Sequence, residues 1–260
     1  MSGPFDFSAK AVLITGGSRG IGRGIAEAFL DAGADVAVSG RKEPDELPSG
    51  GGKRALFIGA DVRDPKQVEA MIDKVVQRWG RLDVLVNNAG GAPFTEAATA
   101  SPRFSEKVIQ LNLIAALHGA QQANRVMQGQ DTGGVIINVA SVSGVRPSPG
   151  TAAYGAAKAG LINLTGSLAI EWGPKVRVNA VSPGMIKTEQ AHLHYGDAAG
   201  IARVADTVPL KRLGTPEDVA GACLYLASPL ASYVSGANLV LHGGGETPAF
   251  LTAANIHRGE

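Results

Sequence analysis

Short apolar runs alternate along this chain with longer segments in which apolar residues recur at helical spacing. The first run, residues 11–14, ends in Thr15 and a group of glycines, and apolar side chains then recur every three or four positions as far as Gly33. This pattern predicts a strand, a tight turn and a helix. Helical periodicity is clearest after Asp64 and Pro65, which suit the cap and the first turn of a helix.

The same reasoning places further strands and helices along the chain. Strands are predicted at residues 35–39, 55–60, 84–86, 135–139, 176–181 and 238–241, and helices at residues 102–127, 151–172 and 216–227. Residues 40–53 contain two prolines and four glycines and are predicted to form a surface loop. Residues 184–214 form a long insertion whose helices the pattern does not fix.

Strands and helices alternate from Ala11 to Leu241 without a linker-like interruption. Such alternation is typical of a parallel sheet covered by helices on both faces. We therefore expect a single α/β domain over residues 1–260, built on a doubly wound, Rossmann-like parallel sheet of about seven strands. With 260 residues, 45% of them apolar, the chain can bury a sizeable core.

Composition excludes several classes of partner. The 24 basic and 23 acidic side chains are mixed along the chain and leave a formal net charge of +1, so no continuous basic surface is offered to nucleic acid. No secretory signal is recognised in the first ten residues, and no segment approaches the roughly 18 apolar residues of a membrane span. We expect a cytoplasmic protein without a membrane partner. The single cysteine, Cys223, is expected to be a small buried hydrophobe.

The first predicted turn has the features of a phosphate-binding loop. Gly16, Gly20 and Gly22 let the backbone turn sharply and approach a diphosphate, while the following helix offers N–H groups and positive partial charge at its N-terminus. The glycines follow a predicted strand and open a periodic helix, as a dinucleotide site requires. The alternative is that they only allow close packing of the helix on the sheet.

The end of the second predicted strand bears on the choice of dinucleotide. An NAD site usually places a carboxylate there to bind the ribose 2′-hydroxyl, whereas this chain has Ser39, Gly40, Arg41 and Lys42. Arg41 and Arg19 could both pair with a 2′-phosphate. We therefore expect NADP(H) to be preferred over NAD(H), the alternative being that Arg41 is a solvated loop residue.

A tyrosine and a lysine four positions apart form the candidate catalytic pair. Tyr154 and Lys158 share one face of a predicted helix, where the ammonium favours the ionised phenol, and Ser141 stands at the end of a predicted strand. Beside a dinucleotide site, such a phenol indicates proton transfer coupled to hydride transfer. The alternatives are a solvated tyrosine, a surface lysine and a turn serine, with Ser143 as a rival of Ser141.

In their order and spacing, these motifs resemble the short-chain dehydrogenase/reductase family over almost the whole chain. The matching motifs are Thr15-Gly-x-x-x-Gly-x-Gly22, Asn87-Asn88-Ala89-Gly90, Asn112, Ser141, Tyr154-x-x-x-Lys158 and Pro183-Gly184. The compact subfamily, including the bacterial 3-oxoacyl-carrier-protein reductases, is the most similar. The resemblance implies an oxidoreductase that interconverts a carbonyl and a secondary alcohol of a small molecule. A non-catalytic NADP-sensing or regulatory protein on the same fold is the alternative, although such relatives typically lose the tyrosine or the lysine.

The resemblance also implies a role for each site residue. Tyr154 is the general acid in reduction and the base in oxidation, Ser141 hydrogen-bonds the substrate oxygen, and Lys158 also binds the nicotinamide ribose. Asn112 helps to hold a water that links the lysine to solvent. The expected cofactor contacts are Gly16, Ser18, Arg19, Gly20, Ile21, Gly22, Arg41, Asp61, Val62, Asn88, Ala89, Gly90, Tyr154, Lys158, Pro183, Gly184, Ile186 and Thr188.

Substrate specificity in the family lies in the loop after Pro183-Gly184, here residues 185–213, and in the turn at residues 142–150. Three residues of the loop, His192, His194 and Tyr195, suit either a hydroxylated or polar ligand or a solvated lid. No metal site is expected, because no third ligand stands near the two histidines. Arg146 could meet an acidic substrate group or be an ordinary surface arginine.

A C-terminal tail, residues 246–260, follows the last predicted strand. Phe250, Leu251 and Ile256 make it too apolar for a wholly solvated segment. In the family such tails often pack over a neighbouring subunit's site, so we expect a homotetramer in which the tail has this role.

Overall fold

Seven parallel strands form the central sheet of the computed structural model, which describes residues 3–253. They are β1 (Ala11–Thr15), β2 (Asp35–Gly40), β3 (Leu56–Gly59), β4 (Val84–Asn87), β5 (Gly134–Val139), β6 (Val176–Pro183) and β7 (Asn238–Leu241). Their order across the sheet is β3-β2-β1-β4-β5-β6-β7. The order changes direction between β1 and β4, and ligands of such sheets bind outside the carboxyl ends of the strands at this point. The predicted doubly wound, Rossmann-like sheet is confirmed.

Helices cover both faces of the sheet. They are α1 (Gly20–Asp31), α2 (Pro65–Trp79), α3 (Pro102–Ile109), α4 (Ala115–Gly129), α5 (Ala152–Trp172), α6 (His192–Tyr195), α7 (Ala198–Thr207), α8 (Pro216–Ala227) and α9 (Ala249–Ala253). Helices α1 and α8 bury Phe29 and Cys223 against one face, while α2, α4 and α5 bury Met71, Met127 and Leu168 against the other. Among the described residues, none of the helices is long and apolar enough to cross a membrane.

The two cores meet in β1, whose side chains alternate between the faces as strand geometry requires. Val12 and Ile14 belong to the core under α1, whereas Leu13 belongs to the core under α2. Cys223 is fully buried, and burial raises the pKa of its thiol to about 12. The expectation of a small buried hydrophobe at this position is therefore confirmed.

The best-predicted helix, α2, owes its bounds to local chemistry. Its N-cap is Asp64, whose side chain accepts a hydrogen bond from the backbone N–H of Lys66 at 2.9 Å, and Pro65 occupies the first turn. The helix ends at Gly80, which has a φ of +73°. A left-handed cap of this kind suits glycine, because other residues pay a steric penalty there.

The structure departs from the sequence expectations in two segments and adds detail in a third, the insertion, whose helices the pattern left open. Residues 40–53 are not only a loop, because Ser49–Gly50 pairs with Lys53–Arg54 in a small hairpin. Its two-residue turn, Gly51 and Gly52, has φ values of +55° and +74°, which suit a tight hairpin. The helix predicted at residues 102–127 contains a π segment, Gln110–Ile114, and the insertion holds α6 and α7.

Candidate active site

The turn between β1 and α1 has no room for a side chain at Gly22 and little at Gly16. A Cβ on Gly22 would lie 2.4 Å from the carbonyl oxygen of Gly16 and 2.5 Å from Nδ2 of Asn88. Gly16 has a φ of +64°, and a Cβ there would lie 3.1 Å from the Cα of Ala89. The turn therefore leaves the backbone bare at the N-terminus of α1, where a diphosphate can approach the N–H groups. Both the packing and the cofactor interpretation require these glycines.

The turn after β4 is joined to this glycine turn by hydrogen bonds. Nδ2 of Asn88 donates to the carbonyl oxygens of Thr15 (2.9 Å) and Gly16 (3.1 Å). The backbone N–H groups of Asn88 and Ala89 both donate to Oγ1 of Thr15, each at 3.0 Å. The buried Thr15 thus fixes the two turns that would line a cofactor. The sequence analysis assigned no separate role to this residue.

A crevice runs along the carboxyl edge of the sheet, from the glycine turn to the last strands. The carboxyl ends of β2 and β3 form its outer end. Arg19 and Arg41 are exposed here, and within residues 3–253 neither side chain forms an ion pair or a hydrogen bond. Ser39 is fully buried, and its hydroxyl is the buried side-chain polar atom that lacks a hydrogen-bond partner in the described part of the chain. Free cations and an unsatisfied donor fit the adenosine end of a phosphorylated dinucleotide.

Asp61, at the same end, is not free. Arg63, which the sequence reasoning missed, forms a bidentate ion pair with it, with Nη2 to Oδ2 at 2.5 Å and Nε to Oδ1 at 2.9 Å. This hydrogen bonding is the main reason that the pKa of Asp61 falls to about 2. Val62, the next residue, is buried with 8% of its surface exposed.

Lys158 is buried beneath the inner end of the crevice with only 3% of its surface exposed. Its Nζ donates a hydrogen bond of 2.6 Å to the carbonyl oxygen of Val139, the last residue of β5, and lies 5.6 Å from the centre of the Tyr154 ring. Burial lowers the pKa of Lys158 to about 8. The structure thus brings the predicted pair together on one side of α5.

The protonation of Tyr154 differs from the sequence expectation. Burial raises the pKa of its phenol, and a hydrogen bond with the Ser141 side chain opposes only part of this rise. We expected the lysine to favour the phenolate, but the amine is held on the Val139 carbonyl and burial dominates. The protein chain by itself therefore keeps Tyr154 as a neutral phenol, the form that can donate a proton.

Ser141 and its rival Ser143 have different surroundings. Ser141 hydrogen-bonds Tyr154, and its Oγ also accepts from the backbone N–H of Ser143 at 3.1 Å. The Ser143 hydroxyl is instead a partner of Ser148 Oγ at 3.1 Å, within the turn that precedes α5. The geometry favours Ser141 as the residue beside the phenol.

Asn112 lies in the π segment and is almost fully buried, with 1% of its surface exposed. Its Oδ1 accepts from the N–H of Gly91 (2.8 Å), and its Nδ2 donates to the carbonyl oxygens of Gly91 (3.0 Å) and Val108 (2.9 Å). A Cβ on Gly90 would lie 2.7 Å from Oδ1 of Asn112 and 3.3 Å from Nζ of Lys158. Asn112 therefore holds the loop after β4 against the lysine, and a π segment at this point is typical of functional sites.

The segment after β6 crosses above the glycine turn. A Cβ on Gly20 would lie 3.6 Å from Cγ2 of Thr188, while Ile186 is buried and bridges to Gly214. Pro183 pairs with Leu241 at the end of the sheet. Thr188 is thus placed over the predicted diphosphate position.

Three segments meet at the mouth of the crevice. The guanidinium of Arg146, in the turn before α5, forms an ion pair with the carboxylate of Glu246, which follows β7. The backbone N–H of Thr247 donates to the carbonyl oxygen of Thr207 in α7 at 3.0 Å. Burial and the charge of Glu246 raise the pKa of Tyr195, which lies near enough to Tyr154 for their charges to interact.

His192 and His194 are exposed, and among the described residues no three potential ligands are grouped for a metal.

Comparisons with known proteins agree with this geometry. A family model described as Enoyl-(Acyl carrier protein) reductase matches residues 16–246. L-rhamnose 1-dehydrogenase (NAD(P)(+)) of Azotobacter vinelandii is 39% identical, covering 90% of this chain and 96% of that protein. Peroxisomal 2,4-dienoyl-CoA reductase of Pongo abelii is 36% identical, covering 96% of this chain and 87% of that protein. The ligand-free aldohexose dehydrogenase of Thermoplasma acidophilum has a TM-score of 0.87 and 32% identity, covering 99% of this chain and 100% of that chain.

Proposed function

Because this chain belongs to the short-chain dehydrogenase/reductase family, we propose that it interconverts a carbonyl and a secondary alcohol of a small molecule, with NADP(H) preferred over NAD(H). One observation carries the proposal. Tyr154 lies beside Ser141 and above the buried Lys158, at the edge of a crevice that begins with a bare glycine turn. This arrangement can donate a proton to a carbonyl oxygen while a hydride arrives from the cofactor side.

Each catalytic residue has a distinct role in this proposal. Tyr154 gives its proton to the carbonyl oxygen in reduction and takes it back in oxidation, while Ser141 holds the same oxygen by a hydrogen bond. Lys158 lies 5.6 Å from the centre of the Tyr154 ring and would bind the nicotinamide ribose, and Asn112 fixes the loop beside it. The bound nicotinamide would supply or accept the hydride.

The cofactor would lie along the carboxyl ends of β2, β1, β4 and β6. The residues that would hold it are Gly16, Ser18, Arg19, Gly20, Ile21, Gly22, Arg41, Asp61, Val62, Asn88, Ala89, Gly90, Tyr154, Lys158, Pro183, Gly184, Ile186 and Thr188. The free Arg41 and Arg19 support the preference for a 2′-phosphate.

The mouth of the crevice supports a polyhydroxylated substrate such as an aldose. Arg146 and Glu246 offer charged donors and acceptors with 40% and 38% of their side chains exposed, and Tyr195 adds a phenol. Hydroxyl groups can bond to such side chains, whereas an acyl chain or a steroid would remove them from water without compensation. The names of the rhamnose and aldohexose dehydrogenases agree with this class.

Reduction of a carbon–carbon double bond is the second candidate, because the family model and one relative carry enoyl or dienoyl names. A panel of aldoses, simple secondary alcohols, ketones and a 2,4-dienoyl-CoA, each with NADP(H) and NAD(H), separates the two. Oxidation of an aldose supports the proposal. Turnover of the dienoyl-CoA alone would overturn it, and cofactor binding without any turnover would favour a sensing protein.

The catalytic assignment is tested by Tyr154→Phe, which removes the hydroxyl and keeps the ring. We expect kcat to fall by about 10²-fold or more, since general acid catalysis contributes about this much, while the Kd of NADPH changes little. Tyr233→Phe is the matched control, because Tyr233 is fully exposed. Unchanged turnover of Tyr154→Phe would contradict the mechanism.

We also propose the homotetramer expected above. Two large apolar side chains on neighbouring helices are exposed, Ile170 in α5 at 86% and Ile109 in α3 at 37%. Exposed apolar side chains of this size suit an interface, so a second subunit is the expected cover. Light scattering measures the assembly, and a monomer would contradict it. The tail is described only as far as residue 253, so Ile256 lies outside the described residues.

A further inference from the structure

The turn after β3 contains a tightly held pair of opposite charges. Arg63 approaches both carboxylate oxygens of Asp61, and its own backbone N–H donates to Oδ1 at 3.0 Å. The carboxylate therefore has three donors from one residue. With 30% and 27% of their side chains exposed, Arg63 and Asp61 are only partly in contact with solvent.

The Asp61–Arg63 pair affects Arg41, which is the other basic residue near Asp61. The strands β2 and β3 are in parallel register, with Gly40 opposite Gly59, and the N–H of Ala60 donates to the carbonyl oxygen of Gly40 at 3.0 Å. Arg41 follows Gly40 and Asp61 follows Ala60, so both residues lie just past the ends of the two strands. The charge of Arg41 is near enough to lower the pKa of Asp61. An unpaired Asp61 would be the natural partner for Arg41.

In the structure the two side chains interact only through their charges and form neither an ion pair nor a hydrogen bond. Asp61 is already occupied by Arg63, and in the described part of the chain Arg41 has no ion pair. Arg41 therefore stays available to an external anion at the end of β2. A bare carboxylate at this place would also repel a phosphate directly.

We propose that Arg63 is a specificity-determining residue for the cofactor, which occupies Asp61 so that Arg41 can bind the ribose 2′-phosphate of NADP(H). The inference rests on the proposed preference for NADP(H). It differs from a general role in binding, because NADH has no 2′-phosphate and gains nothing from a free Arg41. The quantity that reports it is the ratio of the Kd of NADH to that of NADPH.

The test is a cycle of Arg63→Ala, Asp61→Asn and the double variant, with both Kd values measured by nicotinamide fluorescence. Arg63→Ala should raise the Kd of NADPH about fivefold and the Kd of NADH less than twofold, since partly exposed ion pairs have effects of this size. In the double variant the carboxylate is gone as well, so the ratio should return to within about twofold of the wild-type value. Arg125→Ala is the matched control, because it breaks an exposed ion pair with Asp73 on another surface.

The outcomes separate this inference from the proposal beneath it. Loss of selectivity in Arg63→Ala with recovery in the double variant supports the role of Arg63. Equal weakening of both cofactors, or a double variant that does not recover, overturns it. A wild-type ratio near one would overturn the NADP(H) preference itself, and the role of Arg63 would fall with it.

Discussion

The inner and outer ends of the crevice differ in burial and in charge. The floor, defined as Gly22, Asn112 and Lys158, is buried and held by backbone groups. The rim, defined as Arg19, Arg41 and the Asp61–Arg63 pair, is charged and at least partly exposed. A change in the floor must disturb the fold as well as the chemistry, whereas a change in the rim can alter cofactor choice alone.

The strongest way to test the floor is Gly22→Ala. The added methyl would lie 2.4 Å from a backbone oxygen, so the turn must rebuild. We expect a loss of about 2–4 kcal/mol in the free energy of unfolding and a rise in the Kd of NADPH of at least about tenfold. Urea denaturation and a binding titration measure the two effects.

Gly221→Ala is the matched control for this change. Gly221 lies within α8, and a Cβ there would meet no atom within 4 Å. Alanine at such a site should be neutral or stabilise the protein by up to about 1 kcal/mol. Equal behaviour of the two variants would contradict the view that the glycine turn is closed to side chains.

The floor also predicts a pH dependence of stability. The pKa of Lys158 is lowered from 10.5 to about 8 in the folded protein. Between these values the unfolded chain binds a proton that the folded chain does not, so the free energy of unfolding rises with pH in this window. The contribution of Lys158 between pH 8 and pH 10 should be about 2 kcal/mol.

The comparison of wild type with Lys158→Met isolates this contribution from those of the other lysines. Urea denaturation at pH 8 and pH 10 should show a smaller gain, or a larger loss, of stability in Lys158→Met than in wild type. The same gain in both proteins would mean that the amine titrates normally and is not buried as the structure shows.

The floor was also the part that the sequence could predict. Gly22 belongs to a glycine turn between a predicted strand and a predicted helix, and Lys158 stands four positions after Tyr154 on one predicted helix. Asn112 was expected from the family resemblance alone. The hairpin could also have been predicted, because Gly51-Gly52 between two short extended segments favours a tight turn. The proline and glycine content of residues 40–53 indicated only a loop.

Other features left little trace in the sequence. Arg146 and Glu246 are 100 positions apart, and they meet because β5 and β7, which they follow, end at the same edge of the sheet on either side of β6. Burial raises the pKa of Tyr154, and both this burial and the bond from Lys158 to the Val139 carbonyl depend on how α5 packs on β5. Tertiary packing, rather than local spacing, decides both.

At the rim, Arg41→Ala should change selectivity without changing the fold. Arg41 is exposed and unpaired within residues 3–253, so stability should stay within about 0.5 kcal/mol of wild type. Loss of one charge-assisted contact to the 2′-phosphate should raise the Kd of NADPH about tenfold. The Kd of NADH should change little. Equal weakening of both cofactors in a binding titration would show that Arg41 does not recognise the phosphate.

The mouth should give the smallest effect, because exposed ion pairs contribute little. Glu246→Gln keeps the shape of the side chain and removes its charge, so Arg146 loses its ionic partner. We expect the KM of an aldose substrate to rise about two- to fivefold, while the Kd of NADPH and the kcat with a simple secondary alcohol stay unchanged. Asp73→Asn, which breaks the exposed pair with Arg125, is the control. An equal rise in KM for the aldose and the simple alcohol would mean that the pair only holds the mouth together and does not bind substrate hydroxyls.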